Sequence, residues 1–244
     1  MWEFALACDN KNKHMIQYIN NCFCQDLPDC MLTTYSDQHF TYLLFACDER
    51  IGEICKSKVK QCIITYIIDV YKYDYFLKNI GGDDTSLIIQ AYIKSLTLYD
   101  VDTDVALLSK SFSLNKQFYL DSFVNFKMYD MTRMWQELCG LITSNINYLN
   151  RDMMIDVMKS FIATFNTSTD TLKIIINKDG FILYKIDSNK PPIKLKDSAP
   201  AIDIVNYTLL SNPEHIEIYG DTSEGFSIIS LLKSLYDEKV MVIN

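Results

Sequence analysis

The sequence predicts an α+β fold, because two hydrophobic periods alternate along the chain. Residues 2–9 (WEFALACD) place an apolar side chain at every second position, which is the period of a half-buried strand. Residues 152–165 place methionine, isoleucine and phenylalanine three or four positions apart, which is the period of an amphipathic helix. Both kinds of segment recur in the same order, so the chain is predicted to contain repeated strand–helix–strands units.

The composition is typical of a globular protein with a substantial core. The 244 residues are 49% hydrophobic and include only 7 glycines and 5 prolines, so no flexible linker is expected. This length suits one large domain or two of about 120 residues. The N-terminus lacks the basic region of a signal peptide, and no apolar run approaches the roughly 20 residues of a membrane span. We therefore expect an intracellular protein without a membrane partner.

The first unit is predicted from residues 2–48. A strand at residues 2–9 precedes a helix at residues 10–23, where Met15, Ile16, Ile19 and Phe23 form one apolar stripe. Two short strands follow within residues 30–48 and meet at a polar turn around Asp37, next to His39. The order of elements is therefore strand, helix, strand, strand.

A second unit is predicted from residues 61–102. Residues 61–70 are interpreted as a strand and residues 71–80 as a short helix that Gly81 and Gly82 terminate. Residues 86–93 and 95–102 are interpreted as two further strands.

Two more units are predicted late in the chain, after a strand and helix within residues 121–142. A helix at residues 152–165 leads into a hairpin at residues 171–187 that turns at Lys178–Asp179–Gly180. The last unit is predicted as one helix and three strands, at residues 201–210, 215–220, 226–232 and 238–244. The four units are expected to pair into two domains.

The cysteines are concentrated near the N-terminus and do not follow a metal-binding pattern. Seven of the eight lie in the first 62 residues: Cys8, Cys22, Cys24, Cys30, Cys47, Cys55 and Cys62. Without a secretion signal, disulfides are not expected. Zinc sites usually show CxxC-type pairs, whereas the nearest pair here is CFC with no histidine at ligand spacing. Buried thiols are therefore the expected state, with no metal and no cofactor.

No residue pattern predicts a catalytic site. Asp83 and Asp84 offer paired carboxylates on a glycine turn, but no second acidic cluster or phosphate-binding loop accompanies them. His39 with Cys47 or Cys55 could form a thiol nucleophile pair, but the surrounding residues match no protease signature. The sequence predicts a protein that is not an enzyme.

Basic residues on the predicted helices allow two interpretations. Lys11, Lys13, Lys78 and Lys159 lie on or near the polar sides of three helices. They can simply be the solvent-exposed residues of these helix faces. Alternatively, they gather on one surface, which would let a chain of net charge −8 approach nucleic acid.

Several stretches in order resemble the sliding clamp family, to which proliferating cell nuclear antigen belongs. They are MWEFAL with the helix after it, TTYSDQHFTYLLF, YDYFLKNIGGDDTSLII, STDTLKIIINKDGFILYKID and EHIEIYGDTSEGFSIISLL. The resemblance implies a ring, with three subunits expected, of two similar clamp domains per chain. Helices would line one concave face around duplex DNA, and the sheets would lie outside.

The resemblance also implies residues and partners. Lys11, Lys13, Lys78 and Lys159 would contact double-stranded DNA weakly enough to permit sliding. A peptide-binding pocket for DNA polymerase and other replication proteins would contain Tyr35, His39, Phe40 and Leu43. The protein would act as a processivity factor where DNA is replicated, in a nucleus or a viral compartment.

The implied domains are residues 1–104 and 142–244, with a connector at residues 105–141. This connector is longer than the family's and is predicted to hold its own strand and helix. Two alternatives stay open: a clamp-fold viral transcription factor or heteromeric subunit, and an unrelated α+β interaction protein. A strand content well below the helix content would favour the interaction protein.

Overall fold

The computed structural model describes residues 1–26, 30–81, 86–114, 116–178, 180–186, 192–220, 223 and 225–243, without the side chains of residues 24–26 and 193–198. In chain order the elements are β1 (Trp2–Asp9), α1 (Lys13–Asp26), β2 (Met31–Ser36), β3 (Phe40–Cys47), α2 (Gly52–Tyr66), α3 (Lys72–Phe76), α4 (Leu87–Thr97), α5 (Val101–Ser111), β4 (Gln117–Tyr119), α6 (Leu120–Lys127), α7 (Tyr129–Ile146), α8 (Arg151–Ile162), β5 (Ser168–Asn177), β6 (Gly180–Ile186), β7 (Ile193–Ala199), α9 (Ala201–Ser211), β8 (Pro213–Tyr219), α10 (Phe226–Tyr236) and β9 (Val240–Ile243). The α+β class is confirmed, and helical residues are more than twice as numerous as strand residues.

The chain divides into two compact units, and each unit is built from two separate segments. The first unit comprises residues 1–76 and 100–141, and the second comprises residues 77–99 and 142–244. The predicted connector, residues 105–141, therefore belongs to the first unit. Residues 77–99, predicted as part of the N-terminal domain 1–104, belong to the second unit.

The first unit contains a four-stranded sheet of order β2-β3-β1-β4. β1 and β2 both pair antiparallel with β3, whereas β4 pairs parallel with β1. The predicted strand, helix and two strands of residues 2–48 are confirmed. Helix α1 packs on the inner face, where Phe23 contacts Phe45 with ring centroids 5.8 Å apart.

The predicted strand at residues 61–70 is wrong, because these residues continue a helix. α2 runs directly into a π-helical segment, Ile67–Tyr71. Cys55, Val59, Ile63 and Ile67 lie four positions apart and are completely buried. That stripe has the period of a helix, and it outweighs the preference of isoleucine and valine for strands.

Four further predicted strands lie mostly in helices. Residues 86–102 form α4 and the start of α5, residues 121–126 lie in α6, and residues 226–232 lie in α10. In α4 the buried side chains occur on all sides of the helix. A helix that is buried all round has no polar face to reveal its period, so it resembles a buried strand in sequence.

The second unit contains a five-stranded sheet of order β7-β6-β5-β8-β9. β5 and β6 form the predicted hairpin, and Asn177 pairs with Gly180, whose φ of +123° requires a glycine. Asp179 lies outside the described residues. Helices α8, α9 and α10 each contact α4, which therefore lies at the centre of this unit's helical layer.

A buried ion pair connects three helices of the first unit. The Lys72 ammonium on α3 lies 2.5 Å from the Asp104 carboxylate on α5, and the Trp135 indole N–H on α7 donates to the same carboxylate at 3.2 Å. All three residues are at most 3% exposed. The ammonium also lies 5.7 Å from the centre of the Trp135 ring. Each buried charge therefore has a partner, as burial requires.

We expect Asp104→Ala to lower the free energy of unfolding by about 3–5 kcal/mol, because it leaves the Lys72 charge buried without its partner. Urea denaturation measures this loss. Asp102→Ala on the same helix is the matched control, because Asp102 is exposed. The double variant Lys72→Met/Asp104→Ala should recover part of the loss. Equal losses in the single and double variants would contradict a role for charge burial.

Candidate functional site

The outer face of the first sheet carries several exposed apolar side chains around a cavity. Along β3, Leu43 and Phe45 point into the core and are at most 2% exposed. Phe40, Tyr42 and Leu44 point the other way, as the period of a strand requires. The sheet therefore has a buried inner face and an outer face of different composition.

Five aromatic residues form a ladder across one end of this outer face. Ring centroids are 6.1 Å apart for Tyr35–Tyr42, 6.2 Å for Phe40–Tyr42, 5.8 Å for Phe40–Tyr119 and 6.5 Å for His39–Phe40. The rings come from β2, β3, β4 and the turn before β3. We call Tyr35, His39, Phe40, Tyr42 and Tyr119 the aromatic ladder. Tyr35 is 59% exposed, so the ladder is accessible.

The predicted pocket residues are only partly brought together. Tyr35, His39 and Phe40 belong to the aromatic ladder. Leu43 does not, because it lies on the opposite face of β3 and is completely buried in the core. Sequence reasoning missed Tyr42 and Tyr119. The alternation within residues 40–47 could have indicated Tyr42, whereas Tyr119 joins only through the parallel pairing of β4 with β1.

A cavity of about 730 Å³ lies beside the aromatic ladder on the same sheet. Its cause is the small side chain of Ala5, which lies between Leu44 and Gln117 in the register of the strands. Larger neighbours rise on both sides of this alanine and leave a depression over β1. The lining includes Met31, Thr33, Leu44 and Ala46. The outer face therefore offers a mostly apolar groove next to exposed rings.

The turn between β2 and β3 is fixed by one carboxylate. Asp37 accepts hydrogen bonds from the backbone N–H groups of His39 and Phe40, both at 2.7 Å, and from the Tyr42 hydroxyl at 3.2 Å. These donors favour the charged form, so the pKa of Asp37 lies below its ordinary value. His39 is exposed at the tip of this turn, and its position suits a surface contact.

Carboxylates surround the groove and the ladder. Glu3 lines the cavity, Asp37 holds the turn, and Asp9 lies at the end of β1 opposite Phe40. One cation, Lys116, also lines the cavity. Lys11 lies 3.1 Å from Asp9 and offsets part of its charge. The border of the outer face therefore carries more acidic than basic groups.

The four lysines proposed for DNA contact have different surroundings. Lys11 pairs with Asp9, and Lys159 on α8 lies 2.9 Å from Asp237. Lys13 and Lys78 are exposed. Lys11 and Lys13 belong to the first unit, whereas Lys78 and Lys159 belong to the second. Their gathering on one face stays a prediction.

The thiols are not arranged for nucleophilic catalysis. Burial raises the pKa of Cys8 to about 12 and that of Cys139 and Cys47 to about 11, so at neutral pH these thiols stay protonated. His39 and Cys47 lie at opposite ends of β3, roughly 27 Å apart at about 3.4 Å per residue. The geometry therefore does not support their pairing. Asp83 and Asp84 lie outside the described residues.

Comparisons with known proteins found no matching family model, no matching curated protein and no matching solved structure. Among the residues described, no helix combines the length and apolar character that crossing a bilayer requires.

We expect Asp37→Ala to release the β2–β3 turn, because it removes the acceptor of three hydrogen bonds. Faster hydrogen exchange at the amides of His39 and Phe40 would report this release, and Gln38→Ala at the tip of the same turn is the matched control.

In the unsubstituted protein the protection should depend on pH. A lowered pKa means that the charged carboxylate stabilises the turn at and above the ordinary value of 3.8, and that protection is lost as the pH falls below it. Unchanged exchange in Asp37→Ala would show that the turn does not depend on this carboxylate.

Proposed function

We propose that the protein is a non-enzymatic interaction protein, which binds a short apolar and basic segment of a partner protein on the outer face of its first sheet. The observation that carries this proposal is the continuous surface formed by the aromatic ladder and the groove over Ala5. Met31 is 76% exposed, Tyr35 59% and Leu44 40%, although all three are large apolar side chains. Exposed apolar surface that is contiguous and bordered by polar groups marks interaction sites.

The residue types suit recognition of a peptide. Tyrosine supplies a large contact area with few rotatable bonds and is enriched at the centres of interfaces. The groove gives an apolar anchor side chain a place to insert, and the neighbouring hydroxyls of Tyr35 and Tyr42 can hydrogen bond to a bound backbone. A groove also accommodates an extended peptide more readily than it accommodates the flat surface of a folded protein.

Charge favours a basic partner over a second copy of this chain. The chain has a net charge of −8, and Glu3, Asp9 and Asp37 border the surface. Two copies placed face to face would bring these carboxylates together, and like charges at an interface cost free energy. Lysines or arginines beside an apolar anchor would instead complement the border and speed association.

The balance of secondary structure supports the same choice. An interaction protein unrelated to clamps is favoured when strand content lies well below helix content, and helical residues outnumber strand residues by more than two to one in the described chain. The proposal therefore rests on one surface and on one property of the whole fold.

We expect a peptide display library to yield segments that combine an apolar anchor with basic residues, and we expect their synthetic versions to bind with measurable affinity. Tyr35→Ser and Leu44→Ser should each weaken binding about tenfold or more, as loss of an interface anchor does. Phe126→Ser is the matched control, because Phe126 is 80% exposed in the same unit but lies on α6, away from the groove.

Two results would contradict this proposal. One is equal weakening by Tyr35→Ser and Phe126→Ser, measured by isothermal titration calorimetry. The other is a stable dimer in light scattering that Leu44→Ser dissociates, since the occupant would then be a second copy.

A sliding clamp, the function that the resemblance implies, is the second proposal. Its support is the confirmed order of strand, helix and two strands at residues 2–47 and the confirmed hairpin at residues 168–186. In this proposal two clamp domains direct their helices toward double-stranded DNA, with Lys11, Lys13, Lys78 and Lys159 near the phosphates. DNA polymerase and other replication proteins would dock through peptides at a site of replication, and a clamp-fold transcription factor or heteromeric subunit is the variant of this role.

Light scattering and a polymerase assay separate the two proposals. A ring-sized oligomer that raises polymerase processivity would establish the clamp. A monomer that binds neither duplex DNA nor clamp-binding peptides would exclude it, and it would leave the peptide-binding proposal intact.

A further inference from the structure

Three cysteines that are distant in sequence converge in the first unit. Cys30 precedes β2, Cys47 ends β3, and Cys55 lies in the first turn of α2. Their sulfur atoms all lie within 4.8 Å of one another, and the Cys30 and Cys55 sulfurs are 3.5 Å apart. The three sulfurs therefore form a triangle, which we call the cysteine triangle.

We propose that the cysteine triangle binds one thiophilic metal ion, Zn²⁺ or Cu⁺, through three thiolates. Zinc–sulfur bonds are about 2.3 Å long, so two sulfurs bound to the same tetrahedral ion lie roughly 3.8 Å apart. The spacing within the triangle matches that value closely enough for small side-chain rotations to complete the site. Thiolates select these soft ions over magnesium or calcium.

The position of the triangle suits an ion that holds elements together. Each sulfur comes from a different element, so one ion would connect the start of β2, the end of β3 and helix α2. Cys47 and Cys55 are at most 6% exposed, and a buried site excludes water from the metal–sulfur bonds. On binding, each thiol gives up its proton, as ligation of cysteine requires.

A cavity lies next to one member of the triangle. A cavity of about 490 Å³ is lined by Cys47, Met31, Asp48 and Glu49, together with Met1 and Ala46. The two carboxylates of this lining are themselves paired, Asp48 with Arg50 at 2.9 Å and Glu49 with the N-terminal ammonium at 3.4 Å. Because no further histidine, cysteine, aspartate or glutamate joins the triangle among the described residues, a fourth ligand of Zn²⁺ would reach the ion from this cavity.

A disulfide is the competing use of these thiols. It requires two sulfurs at about 2.0 Å, joins only two of the three cysteines, and leaves the third thiol without a function. A metal ion uses all three sulfurs at nearly their present spacing, and for this reason the geometry favours it.

Metal titration of the full-length, reduced chain tests the proposal. After treatment with a chelator, the protein should bind one Zn²⁺ or one Cu⁺ per chain, and Co²⁺ should produce the thiolate charge-transfer absorption of a sulfur-rich site. Cys30→Ala, Cys47→Ala and Cys55→Ala should each weaken binding by more than the roughly 10–100-fold that loss of an outer-shell partner costs. Cys62→Ala, a buried cysteine on the same helix as Cys55, is the matched control.

Separate titrations with Zn²⁺ and with Cu⁺ identify the ion. Alkylation mapped by mass spectrometry provides a second readout in the unsubstituted protein, because bound metal should protect Cys30, Cys47 and Cys55 and leave Cys62 unprotected. Failure to bind either ion, equal effects of Cys55→Ala and Cys62→Ala, or a Cys30–Cys55 disulfide in protein purified without reductant would overturn the proposal. None of these outcomes depends on whether the outer face binds a peptide.

Discussion

The ion pair of Lys72 and Asp104 is the constraint on which the first unit depends. A buried charge that loses its partner is far costlier than a lost surface contact, so the two residues must meet whenever this unit folds. They lie on α3 and α5, and between them the chain leaves for the second unit over residues 77–99. The indole of Trp135 adds α7 to the same carboxylate. One charge pair thus fixes how three helices from two chain segments are assembled.

The four-stranded sheet of the first unit has two faces that differ in composition and exposure. On its inner face, Leu6, Leu43 and Phe45 pack against α1. On its outer face, aromatic and aliphatic side chains such as Tyr35 and Leu44 are exposed to solvent. Small residues on the central strand β1 produce this pattern. Ala7 lies between Tyr42 and Tyr119 and is almost completely covered, while Ala5 leaves the groove. A rigid scaffold with an accessible apolar face is the arrangement expected of a binding module.

Sequence reasoning succeeded where a segment is amphipathic and failed where it is buried on all sides. β1, β3 and α8 each show a polar and an apolar face, and their predicted types are confirmed. α4 and the helix through residues 61–71 have almost no polar face, so isoleucine and valine were interpreted as signs of strands. The stripe of Cys55, Val59, Ile63 and Ile67 was visible in the sequence and could have corrected the second case.

The candidate site was predictable only in part, because some of its residues are far apart in the sequence. Tyr35, His39 and Phe40 are neighbours in a hairpin, so local sequence placed them together. Tyr119 and the partners of Cys30 come from distant segments, and only tertiary structure brings them close. Lys72 and Asp104 were not recognised either, because a lysine and an aspartate in polar stretches are ordinarily exposed.

The assembly of the first unit from two segments has a consequence for synthesis on the ribosome. Asp104, the edge strand β4 (residues 117–119) and Trp135 are all synthesised after residues 1–76, so the N-terminal segment of this unit is made before the partner of Lys72 exists. Premature release of the nascent chain before residue 135 would therefore leave a partly formed hydrophobic interior exposed. Such truncated products should be substrates for chaperones and proteases, and the second unit, which needs residues 142–244, should fold only after both segments of the first unit have been synthesised.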